Sequence, residues 1–349
     1  DAADECCDDD EEYNIAAEII EWWKRCHLHR LETQYNNTDN MKSVEISKKI
    51  AEVISRKQIA QRTKEWYAHA NTVLTASEFS TILKKGRTRG QLVLKKAATT
   101  PVEFNQQLAV ESSNMSAFDW GIRFEPVIKR LYEMKHNTHV IEVGRITHST
   151  NSTLAASPDG ICETTGRLVE FKCPVSRELT DNIPNDYYIQ MQIQCEVTDI
   201  DHCDYVEAQF RSIYKDKLQG PEGPAALIEG TIWLIETYSE EEGYSRRYHY
   251  GEPHYTYLMQ TADMPRDLRD NEHIVETIQW ELMSYNEIAV KRDIVWFNST
   301  ATPAITEFWK DVAAAKKGEF VLPASTRSKK PCTESTEQPT NECLIITDE

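Results

Sequence analysis

The sequence predicts an α/β fold, with strands gathered in the middle of the chain and helices flanking them. Two observations carry this. Helix-periodic segments lie towards both ends while strand-like runs cluster between, and turn chemistry at 163–167 joins two of those runs into a hairpin. The 349 residues, 40% of them hydrophobic, are enough to bury a sizeable core. No internal repeat is found. Residues 1–12 carry eight carboxylates and no base, so they repel one another and are expected to be disordered. Residues 13–33 read as a helix through Ile15, Ile19, Ile20, Trp22 and Trp23, with the Trp pair expected to pack against the body or dock a partner. Residues 34–41 read as a polar linker. Ile46, Ile50, Val53 and Ile54 predict a second amphipathic helix from Ser43 to about Tyr67. A helix start follows at 75–79, capped by Thr75 or Ser77, and then a Gly-Arg-Thr-Arg-Gly loop at 86–90.

A further helix is predicted over 116–136, with Pro126 in its first turn or opening a new segment. Strands are predicted at His139–Val143, Leu154–Ala156 and Leu168–Lys172. Helix returns at 186–198, strands at 203–211, 230–238 and 291–298, an extended Tyr-rich stretch at 244–258, and a last helix at about 303–316. Residues 324–349 read as a disordered tail. The expected organisation is an acidic segment (1–12), a helical extension (13–57), a catalytic domain (58–323) and the tail (324–349).

The formal charge of −18 argues against a nucleic-acid partner only if it is spread evenly. It is not. Between residues 42 and 96, thirteen Lys and Arg face four Glu, so a basic surface is available despite the acidic total. No apolar run is long enough for a membrane span. The acidic start is no secretory signal, and the missing initiator Met suggests a chain whose start lies upstream. Nine scattered cysteines with no CxxC pair suggest a reducing, intracellular setting, not secretion. His202, Cys203 and Cys195 lack a fourth ligand at zinc spacing and are set aside as a metal site.

The chemically informative stretch is Ser157-Pro158-Asp159-Gly160 followed by Glu170-Phe171-Lys172-Cys173-Pro174. Alternation along a strand sends Val169 and Phe171 to one face and Glu170 and Lys172 to the other. The turn at 163–167 brings Asp159 and Glu170 together across the hairpin. Two carboxylates with a main-chain carbonyl make a hard oxygen site suited to Mg²⁺ or Mn²⁺. A Lys beside it can hold an attacking water, which supplies the parts for phosphodiester hydrolysis. The bland alternative is an ordinary hairpin with a Glu–Lys pair on its wet face. Two neighbours favour the first reading: Glu125 on the preceding helix, and Tyr187, Gln190 and Gln194 on one face of the following one.

Taken in order, Trp66 with Leu74-Thr75-Ala76-Ser77, Trp120-Gly121-x-x-x-Glu125, Ser157-Pro158-Asp159-Gly160, Glu170-Phe171-Lys172-Cys173-Pro174 and Tyr187-x-x-Gln190-x-Gln192 resemble the YqaJ-like viral recombinase family. That family includes the lambda-type exonucleases of the PD-(D/E)xK nuclease superfamily. The resemblance covers about residues 58–320, and a closing helix and strand at Thr302–Leu322 also fit. It implies a restriction-endonuclease-like central mixed β-sheet flanked by α-helices. It also implies two Mg²⁺ ions, for which Mn²⁺ would substitute. Asp159, Glu170 and the Phe171 carbonyl would hold metal, Glu125 would join the second ion, and Lys172 would position the nucleophilic water. Ser77 and Ser157, with Thr75, would meet a terminal 5′ phosphate. Tyr187, Gln190 and Gln192 would lie beside the metals and the substrate strand.

The implied activity is 5′-to-3′ digestion of linear double-stranded DNA, leaving 3′ overhangs for a single-strand annealing protein, by a homo-oligomer such as a trimeric ring. There are two departures, one of them an extra N-terminal segment ahead of residue 58. The family's phosphate-gripping Arg falls on Ala70, with His69, Arg62 and Arg123 as substitutes, so endonucleolytic cleavage stays open beside the exonuclease reading. A non-catalytic DNA-binding scaffold is the reading from another class. Finally, Leu344-Ile345-Ile346 followed by Asp348 and Glu349 resembles a SUMO-interacting motif.

Overall fold

The computed structural model describes residues 43–98, 116–214, 217–221, 223, 226–240, 243–256, 264–266 and 268–324. The expectations for the acidic start, the first helix with its Trp pair, the linker, the SUMO-like motif and all of the tail but Ala324 lie outside them. In chain order the elements are α1 (Ser43–Ser55), β1 (Gln58–Ile59), α2 (Lys64–Ala70), β2 (Leu74–Thr75), α3 (Phe79–Leu83), α4 (Arg87–Ala97), α5 (Ala117–His136), β3 (Val140–Ile141), β4 (Arg145–Thr147), β5 (Leu154–Ala156), β6 (Gly160–Cys162), β7 (Leu168–Lys172), α6 (Asn185–Thr198), β8 (His202–Tyr214), β9 (Lys217–Gln219), β10 (Ile228–Ser239), β11 (Gly243–Tyr250), β12 (His254–Tyr255), β13 (Glu272–Lys291) and α7 (Thr302–Lys316).

The fold is mixed α/β, as predicted. The large sheet runs β11-β10-β13-β8-β7-β6-β3, with β12 on β10 and β9 on β8; a smaller sheet runs β1-β4-β5-β2. In the large sheet β7 and β8 run parallel while the other paired strands are antiparallel. Alternation along β7 divides two cores. Leu168 joins the side of α3, α6 and α7, while Val169 and Phe171 join α5 and the outer strands. On the α5 side the Phe124 and Phe210 rings stack at 4.6 Å. Truncating a buried ring of that kind costs about 3–5 kcal/mol. Ile50 and Val53 of α1 lie in the same core as Leu154 and Ile193, so α1 is packed onto the body.

Several elements differ from expectation. The helix expected to reach Tyr67 stops at Ser55, because the chain turns there to pair Gln58 and Ile59 with Ile146 and Arg145. The predicted loop at 86–90 is the first turn of α4: Gly86, at φ 110°, precedes it. Gly90 lies where a Cβ would come within 2.8 Å of Leu322 and Pro323. Pro126 is the tenth residue of an unbroken α5, not its start; the helix tolerates it with Val127 and Ile128 buried in the core.

The run predicted as one strand at 139–143 is Val140–Ile141 only. The predicted strand at 291–298 is helical instead, with Ile294–Trp296 and a π turn at Phe297–Ala301 feeding α7. The strand there is β13, twenty residues long and ending at Lys291. It lies between β10 and β8. Its register shifts between Leu282 and Ser284, which breaks the alternation that would have announced it. The closing strand expected near Leu322 is absent among the described residues, which run irregularly from 319 to 324.

Candidate active site

β6 and β7 form the expected hairpin. Gly160 pairs with Val169 and Ile161 with Leu168, so the next rung out sets Asp159 opposite Glu170. Gly160 admits this approach because it has no Cβ; one would meet the Val140 side chain and lie 2.9 Å from the Ile141 carbonyl. Asp159 is fixed by the Phe171 N–H, which donates to Oδ2 at 2.7 Å. Glu170 is fully buried. Lys172 donates to its Oε1, Gln190 donates to Oε1 at 2.5 Å and Gln194 donates to Oε2 at 2.7 Å. The shared face of α6 anticipated for Tyr187, Gln190 and Gln194 is therefore the face over β7. Tyr187 places its ring 4.9 Å from the Lys172 ammonium.

Electrostatics follow from this crowding. Burial, then Glu170, then Glu125 push the Asp159 carboxyl well above the usual carboxylate range. Burial alone would lower Lys172, but Glu170 and Asp159 outweigh it and hold the ammonium above its ordinary value. Burial raises the Cys173 thiol well above its normal range, which removes it as a nucleophile at neutral pH. The oxygen of Gln194 is buried without a hydrogen-bond partner.

Two predicted residues stay outside this hydrogen-bonded cluster, although Glu125 is near enough to raise Asp159. Glu125 takes a hydrogen bond from Arg62 at 2.6 Å, so an opposite charge holds it. Among the described residues no three His, Cys, Asp or Glu side chains converge to hold an ion by themselves. Gln192 braces the fold instead. Its Nε2 donates to the Lys291 carbonyl at 2.8 Å and its Oε1 accepts from the Asp293 N–H at 2.6 Å, because it sits on the face of α6 turned from Gln190.

The hydroxyl residues meet at one end of the small sheet. β2 and β5 are parallel, with Thr75 beside Ala155, so Ser77 and Ser157 each lie two residues beyond the same rung. Thr75 serves as the anticipated cap, donating its hydroxyl to Glu78 at 2.8 Å, and lies 3.3 Å from the Ser77 hydroxyl. The Trp66 indole donates to Ser157 at 3.1 Å, which explains why a Trp belongs with those serines. Of the three cations considered for the Ala70 position, Arg62 is on Glu125. Arg123 is fully buried, with its Nε donating to the Tyr248 hydroxyl. His69 lies on the neighbouring face of α2.

Lys96, unannounced by the sequence pattern, donates to the Ala70 carbonyl and to Glu78, each at 2.6 Å. The Lys at 96 follows the 86–90 stretch read as loop, so no helical spacing pointed to it.

Residues 65–201 match the family model described as the YqaJ-like viral recombinase domain. The match holds Glu125, Asp159, Glu170, Lys172 and the α6 amides. Over this segment the chain is similar to the YqaJ-like viral recombinase domain.

Viral relatives of the chain include an uncharacterized protein of Acanthamoeba polyphaga mimivirus, 29% identical over 171 residues, 44% of this chain and 30% of the relative. A protein of African swine fever virus (isolate Tick/Malawi) is 29% identical over 223 residues, 52% of this chain and 62% of the relative. The chain thus spans less than two thirds of either. Among solved structures, an alkaline exonuclease from Laribacter hongkongensis is 20% identical with a TM-score of 0.44, covering 73% of this chain and 95% of that one. A phage-related exonuclease from Haemophilus somnus is 12% identical with a TM-score of 0.35, covering 70% and 92%. Among the described residues no helix is long and apolar enough to cross a membrane.

Proposed function

We propose that the chain is a metal-dependent deoxyribonuclease that hydrolyses linear double-stranded DNA from the 5′ end and leaves 3′ overhangs for strand annealing. The observation carrying this reading is the hairpin that seats Asp159 against Glu170 with Lys172 on the same strand face. The YqaJ-like match over the same residues supports it. The donor set fits a hard divalent ion: Asp159 and Glu170 carboxylates, the Phe171 carbonyl between them, and an unsatisfied Gln194 oxygen nearby. The like charges that raise Asp159 are what a cation would relieve. Bound there, Mg²⁺ or Mn²⁺ would polarise the scissile phosphate and acidify a water.

The remaining roles belong to the protein. Lys172, as an ammonium, donates to the attacking water and to charge developing on phosphate oxygens. Gln190 and Gln194 keep Glu170 aimed without adding charge, and Tyr187 confines the Lys172 head. Glu125, held by Arg62 through one oxygen, would join a second ion. Ser77 and Ser157 would receive the 5′ phosphate, with Trp66 orienting Ser157.

The test is duplex DNA labelled at one end, with and without a 5′ phosphate, in Mg²⁺ and in EDTA. Lys172→Ala should lower cleavage by roughly 10²–10⁴-fold, the range for a lost proton-handling group, while duplex binding persists. Full activity in that variant would overturn the assignment. An overhang-forming enzyme of this kind would work beside a single-strand annealing protein, and as a ring around the duplex it would be trimeric; a monomeric mass in solution argues against the ring. Four free cysteines among the described residues support a reducing, intracellular setting.

A further inference from the structure

β1, α2 and β4 line an open cavity of about 680 Å³, whose lining includes none of the carboxylates or serines of the candidate active site. Glu65, Ala68, His69 and, just past the helix end, Thr72 face it, at the i, i+3, i+4, i+7 spacing of a single helix face. Trp66 and Ala70 lie on the next face round. Trp66 forms the dividing wall: its ring is covered by the Arg145 guanidinium at 4.0 Å, while its indole N–H reaches Ser157 on the other side.

The cavity is cationic. Arg56, Lys57 and Arg145 line it with His69, against the single carboxylate of Glu65. Arg145 is 3% exposed. It donates to the Trp66 carbonyl, but its Nε is buried without a partner, and among the described residues no carboxylate lies within ion-pair reach. The Nδ1 of His69 is likewise buried and unpartnered. Arg56 is taken up by the Val197 and Thr147 carbonyls at 2.7 and 2.6 Å, so it adds charge without a free fork. A guanidinium taken out of water with no counter-charge is a standing cost unless an anion answers it. Burial lowers Arg145 to about 10, against a weaker upward pull from Glu78.

The donors on offer are a guanidinium Nε–H, an imidazole nitrogen and, at the rim, the exposed Lys57 ammonium. Together they match an anion with several oxygens. The volume exceeds what a lone phosphate needs and suits one nucleotide unit.

We propose that this cavity is a phosphate-ester site built on Arg145, His69 and Lys57, distinct from the carboxylate centre. A free mononucleotide and the backbone of a nucleic-acid strand both present that chemistry. The site does not depend on the nuclease reading.

The test is calorimetry on the full chain in EDTA, with inorganic phosphate, dAMP, deoxyadenosine and a 5′-hydroxyl oligonucleotide as probes. Saturable binding of phosphate and dAMP but not deoxyadenosine is expected. It should weaken at least tenfold in R145Q and in the double variant K57Q/H69Q, and persist in E170Q. Binding by the oligonucleotide alone, with the same Arg145 dependence, also supports the site and assigns it to strand backbone. Should R145Q fail to fold, K57Q/H69Q decides, because Lys57 is exposed. Absence of binding by every probe, or loss in E170Q with retention in K57Q/H69Q, overturns the proposal.

Discussion

Asp159 is the residue whose environment opposes its charge most plainly. Burial, Glu170 and Glu125 all favour its protonated form. A carboxyl raised in the folded state binds more protons there than in the unfolded chain, so stability falls as pH rises above the ordinary carboxylate value of about 4. Asp159→Asn removes that cost and leaves an oxygen for the Phe171 N–H. The variant should therefore melt higher than the parent in EDTA at pH 7.5. The two should converge below about pH 4, where both side chains are neutral. Thermal denaturation at the two pH values checks this; a variant less stable at pH 7.5 would contradict it. At the same scale, Asp159, Glu170, Lys172, Gln190 and Tyr187 were legible in the sequence because strand alternation and helix spacing fix which residues share a face. Gln192 was not, since its binding partners, Lys291 and Asp293, lie at and just past the end of a strand that no pattern revealed.

At the scale of elements, the β6–β7 hairpin and β13 do different work. The hairpin depends on Gly160. Gly160→Ala must push β3 away and should cost about 1–3 kcal/mol or more, measured by urea denaturation; an unchanged midpoint would mean that β3 yields freely. β13 is tied to α5 through Glu287, which accepts from Lys135 at 2.7 Å and lies 2.9 Å from His136. Burial opposes its charge, but the His136 hydrogen bond and Lys135 hold its carboxyl down to about 2. Sign matters: a depressed carboxyl stabilises fully above its unfolded value near 4.3, and that contribution disappears as pH falls through about 2. Glu287→Gln should thus lose roughly 3 kcal/mol at pH 7, with the deficit shrinking below pH 4. Denaturant titration at both values reads it. β13 went unseen for physical reasons. Polar residues fall on both faces of it, Glu276 on one and Gln279 and Glu281 on the other, and its bulge resets the alternation midway, so neither a continuous apolar run nor a clean period survives.

Over the whole molecule, the basic stretch at 42–96 is quieter than its sequence suggests. Lys49 is answered by Asp199, Lys84 by Asp186 and Arg89 by Asp311, at 2.8, 2.8 and 2.6 Å. These partners are far away in the chain, so local charge counting could not find them. Lys64 and Lys85 have no carboxylate within ion-pair reach among the described residues. Duplex binding should therefore weaken in K64Q/K85Q, with a shallower dependence of affinity on salt, and change little in K49Q/K84Q. Fluorescence anisotropy across a salt series distinguishes the pairs; equal losses would show that position does not matter. The α/β class was legible because the order of helical and strand-like segments survives errors in their ends. The division into two sheets was not, since β1, β2 and β4 are two or three residues long.

The notch at Gly90 carries a consequence for how the molecule is made. Leu322 and Pro323 fill it, and Arg87 reaches the Pro323 carbonyl across a separation of 236 residues. Contacts of such long range are slow to form. During synthesis, α4 emerges early but finds its lid only after nearly all of the described chain has followed. The helix α4 therefore waits, with the notch at Gly90 unfilled, for a latch translated 236 residues after Arg87.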